Sequence, residues 1–346
     1  MPVFVQHANW SVCGLISELD GGGLKVSATF DGRSVIASGG APFVIVPYHG
    51  QSPTFKDGLS PACGGLPFLT LIPPAPNVHG NSLPPATIAK NDNEYHAGTN
   101  PTGGIAIERH AKGWIEPEHL VIWAKFQCGN YQYIHRWTFG ADGVVDIDVG
   151  LGGKLGSWGP HLGHIHHFYF RLDLDIAGSG NNQVQKLHHA GWGLTHDSWS
   201  AYLTEQYDTL NPAGYTKWKV INKAPKPNGQ VRSYELIPGS DGGPDGTYST
   251  RDVWATLYKS GAETGADVGL DCKDTAMTTK YIAPKENIDG KDVVLWYCLR
   301  THHFTRHLGE EKNVLPYHFV SFHLEPRDFL DDTPKGLYST LPPSPL

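Results

Sequence analysis

Apolar residues in this chain come in short runs of Val, Ile, Phe, Tyr and Trp, each bounded by Gly, Asn, Asp or Pro. That is the pattern of β-strands, whose alternate side chains face opposite sides of a sheet. The clearest runs are LKVSATFDGRSVI (24–36), PFVIVPY (42–48), HLVIWAKFQCGNYQYIHRWTFGADGVVDIDVGLG (119–152), HIHHFYFRLDLDIAG (164–178), TKWKVINK (216–223) and KDVVLWYCLR (291–300). Within 131–149 the ADG turn predicts a hairpin. Helical periodicity is scarce. Segments 192–215 and 259–285 are polar and mixed, and are expected to carry short helices or long loops. PPAPNVHGNSLPP (73–85) reads as a surface loop and 341–346 (LPPSPL) as an exposed tail. With no internal repeat and no linker, the expectation is all-β: one domain over 1–346, a large antiparallel β-sandwich with few short helices.

Composition narrows the function classes. The 346 residues include 41 Gly and 26 Pro but only 18% charged residues, which suits a strand-and-turn scaffold with a large core. Basic residues number 27 against 34 acidic, so nucleic acid is not an expected partner. No apolar run approaches the ~18 residues needed to cross a bilayer, and MPVFVQHANW has no secretory pattern. A cytoplasmic location is therefore expected, or a secreted one if the chain was trimmed. Five scattered cysteines form no C-x-x-C pair and read as buried free thiols. Dinucleotide, P-loop, serine-hydrolase and H-E-x-x-H motifs are all missing. The unusual count is 19 histidines.

The sharpest local signal is His164-Ile165-His166. Residues i and i+2 of a strand share a face roughly 7 Å apart, so both imidazoles can turn onto one metal. A second histidine-rich strand, LWYCLRTHHFTRH (295–307), offers a third ligand. Three neutral imidazoles with open positions suit copper or zinc.

In these segments the chain resembles the catalytic β-sandwich domain of copper-dependent, topaquinone-containing amine oxidases. HIHHFYFRLDLDIAG (164–178) resembles the family's two-histidine copper strand. DVVLWYCLRTHHFTR (292–306) is similar to its third-ligand strand, where an acidic residue precedes the copper histidine by eleven positions. That spacing implies His303 as third ligand and leaves His302 as its neighbour. TLNPAGYTKWKVINKAPKPNGQVRSYELIPG (209–239), YSTRDVWATLY (248–258) and LPYHFVSFHLEPRDFLDDTP (315–334) match in kind and order, so the resemblance runs from about Asn9 to Pro343.

The resemblance implies copper on His164, His166 and His303, and a topaquinone made from the tyrosine of a T-x-x-N-Y-[DE] pattern. Here 127–132 reads QCGNYQ, so Asn130 and Tyr131 keep the core and Tyr131 is the implied precursor. The flanking Thr and acidic residue have become Gln127 and Gln132. Tyr48, in VIVPYHGQSPTFKDG (44–58), fits the tyrosine expected to hydrogen-bond the quinone. The family's catalytic aspartate is harder to place: aligned without a gap its position is Lys56, and a slip of one residue restores Asp57 as the base. Asp173, Asp175 and Asp292, with the carbonyls of Leu174 and Val293, match a calcium site. Cys63 lies near one partner of the family's disulfide, with no cysteine near Asn91 to complete it.

The implied activity is oxidation of a small-molecule primary amine by O2 to an aldehyde, with H2O2 and NH3, in a homodimer. Two other readings stand beside it. One is a copper-dependent oxidase or oxygenase of a natural-product intermediate, lacking amine oxidase activity. The other is a non-catalytic β-sandwich binding protein.

Overall fold

The computed structural model describes residues 2–16, 23–48, 55–58, 103–109, 118–128, 131–153, 163–189, 197–211, 214–260, 274, 277, 280–303 and 315–331; for a few of these, including 55–58, only the backbone is described. The described residues form two nine-stranded antiparallel sheets. The first contains β1 (Val3–His7), β2 (Trp10–Ile16), β3 (Leu24–Phe30), β4 (Arg33–Val46), β10 (His164–Asp173), β17 (Val293–His303), β16 (Val253–Leu257) and β13 (Gln206–Asp208) in that order, with β5 (Phe55–Gly58) paired to the end of β4. The second runs β12 (Ser198–Ala201), β11 (Asn182–His188), β14 (Trp218–Pro225), β15 (Val231–Ile237), β18 (Leu315–Arg327), β9 (Val145–Gly153), β8 (Tyr131–Gly140), β7 (Glu118–Cys128) and β6 (Gly103–Arg109). The expected antiparallel sandwich is what the chain builds.

Turn chemistry sets the strand ends. Run 24–36 is two strands rather than one, because Asp31 (φ 50°) and Gly32 (φ 71°) make a two-residue reversal that an unbroken strand cannot contain. The expected hairpin at 131–149 is β8–β9; its turn closes through Gly143, at φ 89°, whose N–H donates to the Gly140 carbonyl at 2.9 Å. Segment 192–215 differs from expectation: it contributes the short edge strands β12 and β13, whose polar composition suits a sheet margin. In 259–285 the described residues 277, 280 and 281 are helical.

The alternation of side chains sorts the core into two layers. Val44, Val46 and Tyr48 join Phe168, Phe170, Leu172, Val293, Leu295, Tyr297 and Leu299 in the layer that also holds Tyr131, Tyr133, Trp137 and Phe139 of the second sheet. Phe43, Ile45, Tyr169, Trp254, Val294, Trp296 and Cys298 form a second cluster on the other side of the first sheet. Trp10 closes the sandwich at one end: its indole N–H donates to the Gly140 carbonyl at 2.7 Å, tying the first sheet to the β8–β9 turn. Gly39 is required for packing, since a Cβ there would stand 2.8 Å from the Trp137 ring.

Behind β17 lies one fully buried ion pair. The Arg300 guanidinium donates to Asp252, to Ser249 Oγ at 3.0 Å and to the Arg251 carbonyl at 2.7 Å. Both charged side chains are almost completely shielded from water. Removing one partner strands the other charge in an apolar layer. Arg300→Ala is therefore expected to destabilise the protein by about 3–5 kcal/mol, read as a lower urea midpoint; an unchanged midpoint would show that the pair anchors nothing.

Candidate metal centre

Three histidines meet because of one register. β10 and β17 pair so that His164 stands directly opposite His303, while His302 stands opposite Ile165. His164 and His166 lie in phase with Phe168 and Phe170 of the inter-sheet layer, and His303 lies in phase with Leu299 and Tyr297. His302 falls in the opposite phase, with Cys298 and Trp296. The alternation thus selects His303 over its neighbour.

The three imidazoles offer ligand atoms that all lie within 4.8 Å of one another. Their ring centroids are 4.8 Å (His164–His166), 5.1 Å (His164–His303) and 5.7 Å (His166–His303) apart. Nε2 of His164 and Nε2 of His166 are 3.0 Å apart. Two nitrogens each bound ~2 Å from one metal at roughly a right angle would be separated by about 3 Å, so the spacing fits a shared ion. His303 supplies the second part of the fit. Both of its ring nitrogens are buried without a hydrogen-bond partner, a costly arrangement that metal ligation relieves.

Electrostatics point the same way. Burial, and then the neighbouring His164, push the His303 imidazole down to about 3. Burial, with His164, His303 and His167 added, holds His166 well below the ordinary histidine range. At neutral pH both are neutral imidazoles, the form with a lone pair to give a metal.

Tyrosines from both sheets close around this centre. Tyr131, the first residue of β8, places its phenol oxygen 3.3 Å from His164 Nε2, and its ring 4.9 Å from His166 and 5.4 Å from His303. Tyr48, just past β4, lies 2.5 Å from Tyr131, oxygen to oxygen. Tyr133, one alternation further along β8, makes a 3.0 Å hydrogen bond to His166 Nδ1. Nothing in the sequence marks Tyr133 beyond its i+2 spacing from Tyr131.

The remaining sequence candidates divide as follows. Asp173, Asp175 and Asp292 converge as a second cluster, with carboxylate oxygens within 4.8 Å of one another. Burial and the Asp292 charge raise the Asp175 carboxyl to about 6, and burial raises Asp292 as well. Leu174 and Val293 sit beside them in sequence, with both side chains turned into the core. Asp57 pairs in register with Val44, a residue of the inter-sheet layer, and Lys56 pairs with Ile45, a residue of the opposite cluster. Asn130, Cys63, the loop 73–85 and the tail 341–346 lie outside the described residues. His135 is wholly buried among Phe126, Phe168 and Phe170, one alternation beyond Tyr133 and away from the three histidines. The His302 main-chain N–H donates to Asp241 at 2.7 Å.

The family model described as copper amine oxidase, enzyme domain, matches residues 106–340, more than half of the chain. The chain belongs to the copper amine oxidase family. That is a family of oxidoreductases, and its relatives are correspondingly named. The copper-containing amine oxidase gamma 2 of Arabidopsis thaliana is 27% identical over 269 residues, covering 62% of this chain and 38% of that protein. The primary amine oxidase of Klebsiella aerogenes is 25% identical over 376 residues, covering 87% and 48%. The chain thus spans less than half the length of these relatives. Among solved structures, the copper-containing benzylamine oxidase of Hansenula polymorpha shares the fold with a TM-score of 0.68 at 16% identity, over 95% of this chain and 60% of that one. The lysyl oxidase of Pichia pastoris does so with a TM-score of 0.61 at 14% identity, over 95% and 52%. Among the described residues no helix is long and apolar enough to cross a membrane.

The depressed imidazoles make a pH prediction for the metal-free protein. An unfolded histidine takes up a proton near 6.5, whereas His303 in the folded state resists protonation until about 3. Between those values the unfolded state binds more protons, so stability is full above about 6.5 and is lost as the pH falls. Each such histidine contributes a slope of up to about 1.4 kcal/mol per pH unit. Urea midpoints measured at pH 7, 6 and 5 should fall stepwise, and His303→Gln should flatten that fall.

Proposed function

We propose that this copper amine oxidase family member is an active copper-dependent amine oxidase that forms its own quinone from Tyr131. The single observation carrying this reading is the Tyr131 phenol held 3.3 Å from the Nε2 of one of three converging, buried imidazoles. Copper held by His164, His166 and His303 would supply redox chemistry with dioxygen, and the quinone an electrophilic carbonyl toward amines. The overall conversion is a primary amine, O2 and H2O to an aldehyde, NH3 and H2O2.

The chain's own residues do the rest. The enclosure of Tyr48, Tyr131 and the three histidines in the sandwich keeps bulk water from the reacting atoms. Tyr48 fixes the Tyr131 ring by their shared hydrogen bond. Asp57 is assigned as the base that takes the substrate's α-proton onto a carboxylate oxygen. Lys56 is the other candidate, but a carboxylate is unprotonated at neutral pH where an ordinary lysine is not. Asn130, next to the precursor, is kept as part of the site. Homodimerisation, as the resemblance implies, belongs to the same reading.

Aerobic titration of the metal-free protein with Cu(II) tests it. A visible absorption band should grow, with a mass change located on Tyr131, and both should be abolished in Tyr131→Phe. Copper binding without any band would leave a copper protein that is not a quinone enzyme. In the same preparation Asp57→Asn should lower kcat by about 10²–10⁴-fold, with Lys56→Ala close to wild type; the reverse ranking would move the base.

We also propose that Asp173, Asp175 and Asp292, with the main-chain carbonyls of Leu174 and Val293, bind Ca2+. The support is the convergence of the three carboxylates, with Asp175 raised by burial and then by the Asp292 charge and Asp292 raised by burial, costs that a divalent cation would offset. Because Asp175 loses its proton only near pH 6, Ca2+ should raise the melting temperature more at pH 7.5 than at pH 5. Asp292→Asn should remove that increment; an unaltered increment would place the ion elsewhere.

A further inference from the structure

Two tyrosines of β8 face the histidine centre, yet the chemistry proposed above uses only one. Tyr131 and Tyr133 are same-face neighbours with ring centroids 6.4 Å apart, and both are buried. What separates them is the nitrogen each phenol meets. Tyr131 reaches Nε2 of His164, the same atom that lies 3.0 Å from Nε2 of His166. Those two Nε2 atoms mark where a shared ion would sit. Tyr133 reaches His166 at Nδ1, the other edge of that ring. The lone-pair directions of the two imidazole nitrogens diverge, so the His166 ring stands between the Tyr133 oxygen and the metal position.

We propose that Tyr133 is a positioning residue for the metal: its phenol oxygen accepts the His166 Nδ1–H, which fixes the tautomer and ring angle that present Nε2 to copper. The same placement decides which tyrosine is oxidised. Tyr131 borders the metal-facing nitrogens and can become a ligand, whereas Tyr133 cannot and stays a phenol. This inference rests on the copper reading above. A histidine ligand whose far nitrogen is hydrogen-bonded is both oriented and made more basic by its partner. His303, by contrast, has no hydrogen-bond partner on either nitrogen among the described residues; its strand and its ring contacts with Tyr131, His164 and His166 orient it. The alternative role for Tyr133 is packing, since its ring meets Phe168 edge-on at 5.1 Å. Phenylalanine would serve that role equally well.

Cu(II) affinity measured by chelator competition, in a Tyr131→Phe background so that quinone formation contributes nothing, separates the two roles. Tyr133→Phe is expected to weaken Cu(II) binding about 10–100-fold and to alter the nitrogen hyperfine pattern of the Cu(II) EPR spectrum. Equal affinity and an equal spectrum would overturn the positioning role while leaving the copper reading intact. Absence of Cu(II) binding in the parent protein would sink the copper reading and this inference together. Should Tyr133→Phe fail to fold, ring-nitrogen NMR of the Zn(II)-loaded wild-type chain decides instead. A His166 bound through Nε2 with a protonated Nδ1 supports the proposal, and a metal on Nδ1 overturns it. Tandem mass spectra of the aerobically copper-loaded wild type should place the modification on Tyr131; modification of Tyr133 would contradict the assignment.

Discussion

The pairing of β10 with β17 is the constraint on which the rest of the site depends. Because a strand's side chains alternate, the register that sets His164 against His303 also sends His166 to the same face and His302 to the other. A slip of one residue would reverse every one of these assignments. The register is held from both sides of the sheet: by Leu299, Tyr297 and Leu295 within the sandwich, and behind it by the buried Arg300–Asp252 pair with Cys298 and Trp296. The placement of the three imidazoles at the front is thus fixed by packing at the back.

The second constraint is the facing of two sheets. All three histidines belong to the first sheet, with Tyr48 just past the end of its β4, while Tyr131 and Tyr133 belong to the second. Within one sheet the histidines would form a metal site and nothing more. Only the closure of the sandwich, with interior side chains interdigitating between the sheets, brings a phenol to the metal-facing nitrogens. Burial then gives the arrangement its chemistry, since it keeps His166 and His303 neutral, while the phenols are hydrogen-bonded to one another and to ring nitrogens.

Much of this was legible in the sequence where the controlling interaction is local. The i, i+2 spacing of His164 and His166 points to that pair, the family resemblance adds His303, and the ADG turn marks the β8–β9 hairpin. The Asp31-Gly32 reversal is hidden in the sequence, because the apolar pattern on either side of it reads as continuous. Edge strands β12 and β13 are too short and polar to show a period. Long-range partners were invisible for a different reason. Asp252 lies 48 residues from Arg300, and Tyr133 meets His166 from another sheet 33 residues away. Nothing along the chain encodes which sheet faces which. The choice between Lys56 and Asp57 as base rests on an alignment slip of one residue, which no local pattern in the sequence decides.

The account's central claim is that three imidazoles, from two adjacent strands, hold one copper ion. Pulsed EPR of the Cu(II)-loaded protein counts coordinated imidazoles directly. The account predicts three, falling to two when His303 is replaced by Ala and unchanged when His302 is. A count below three in the wild type, or one insensitive to His303, would contradict it.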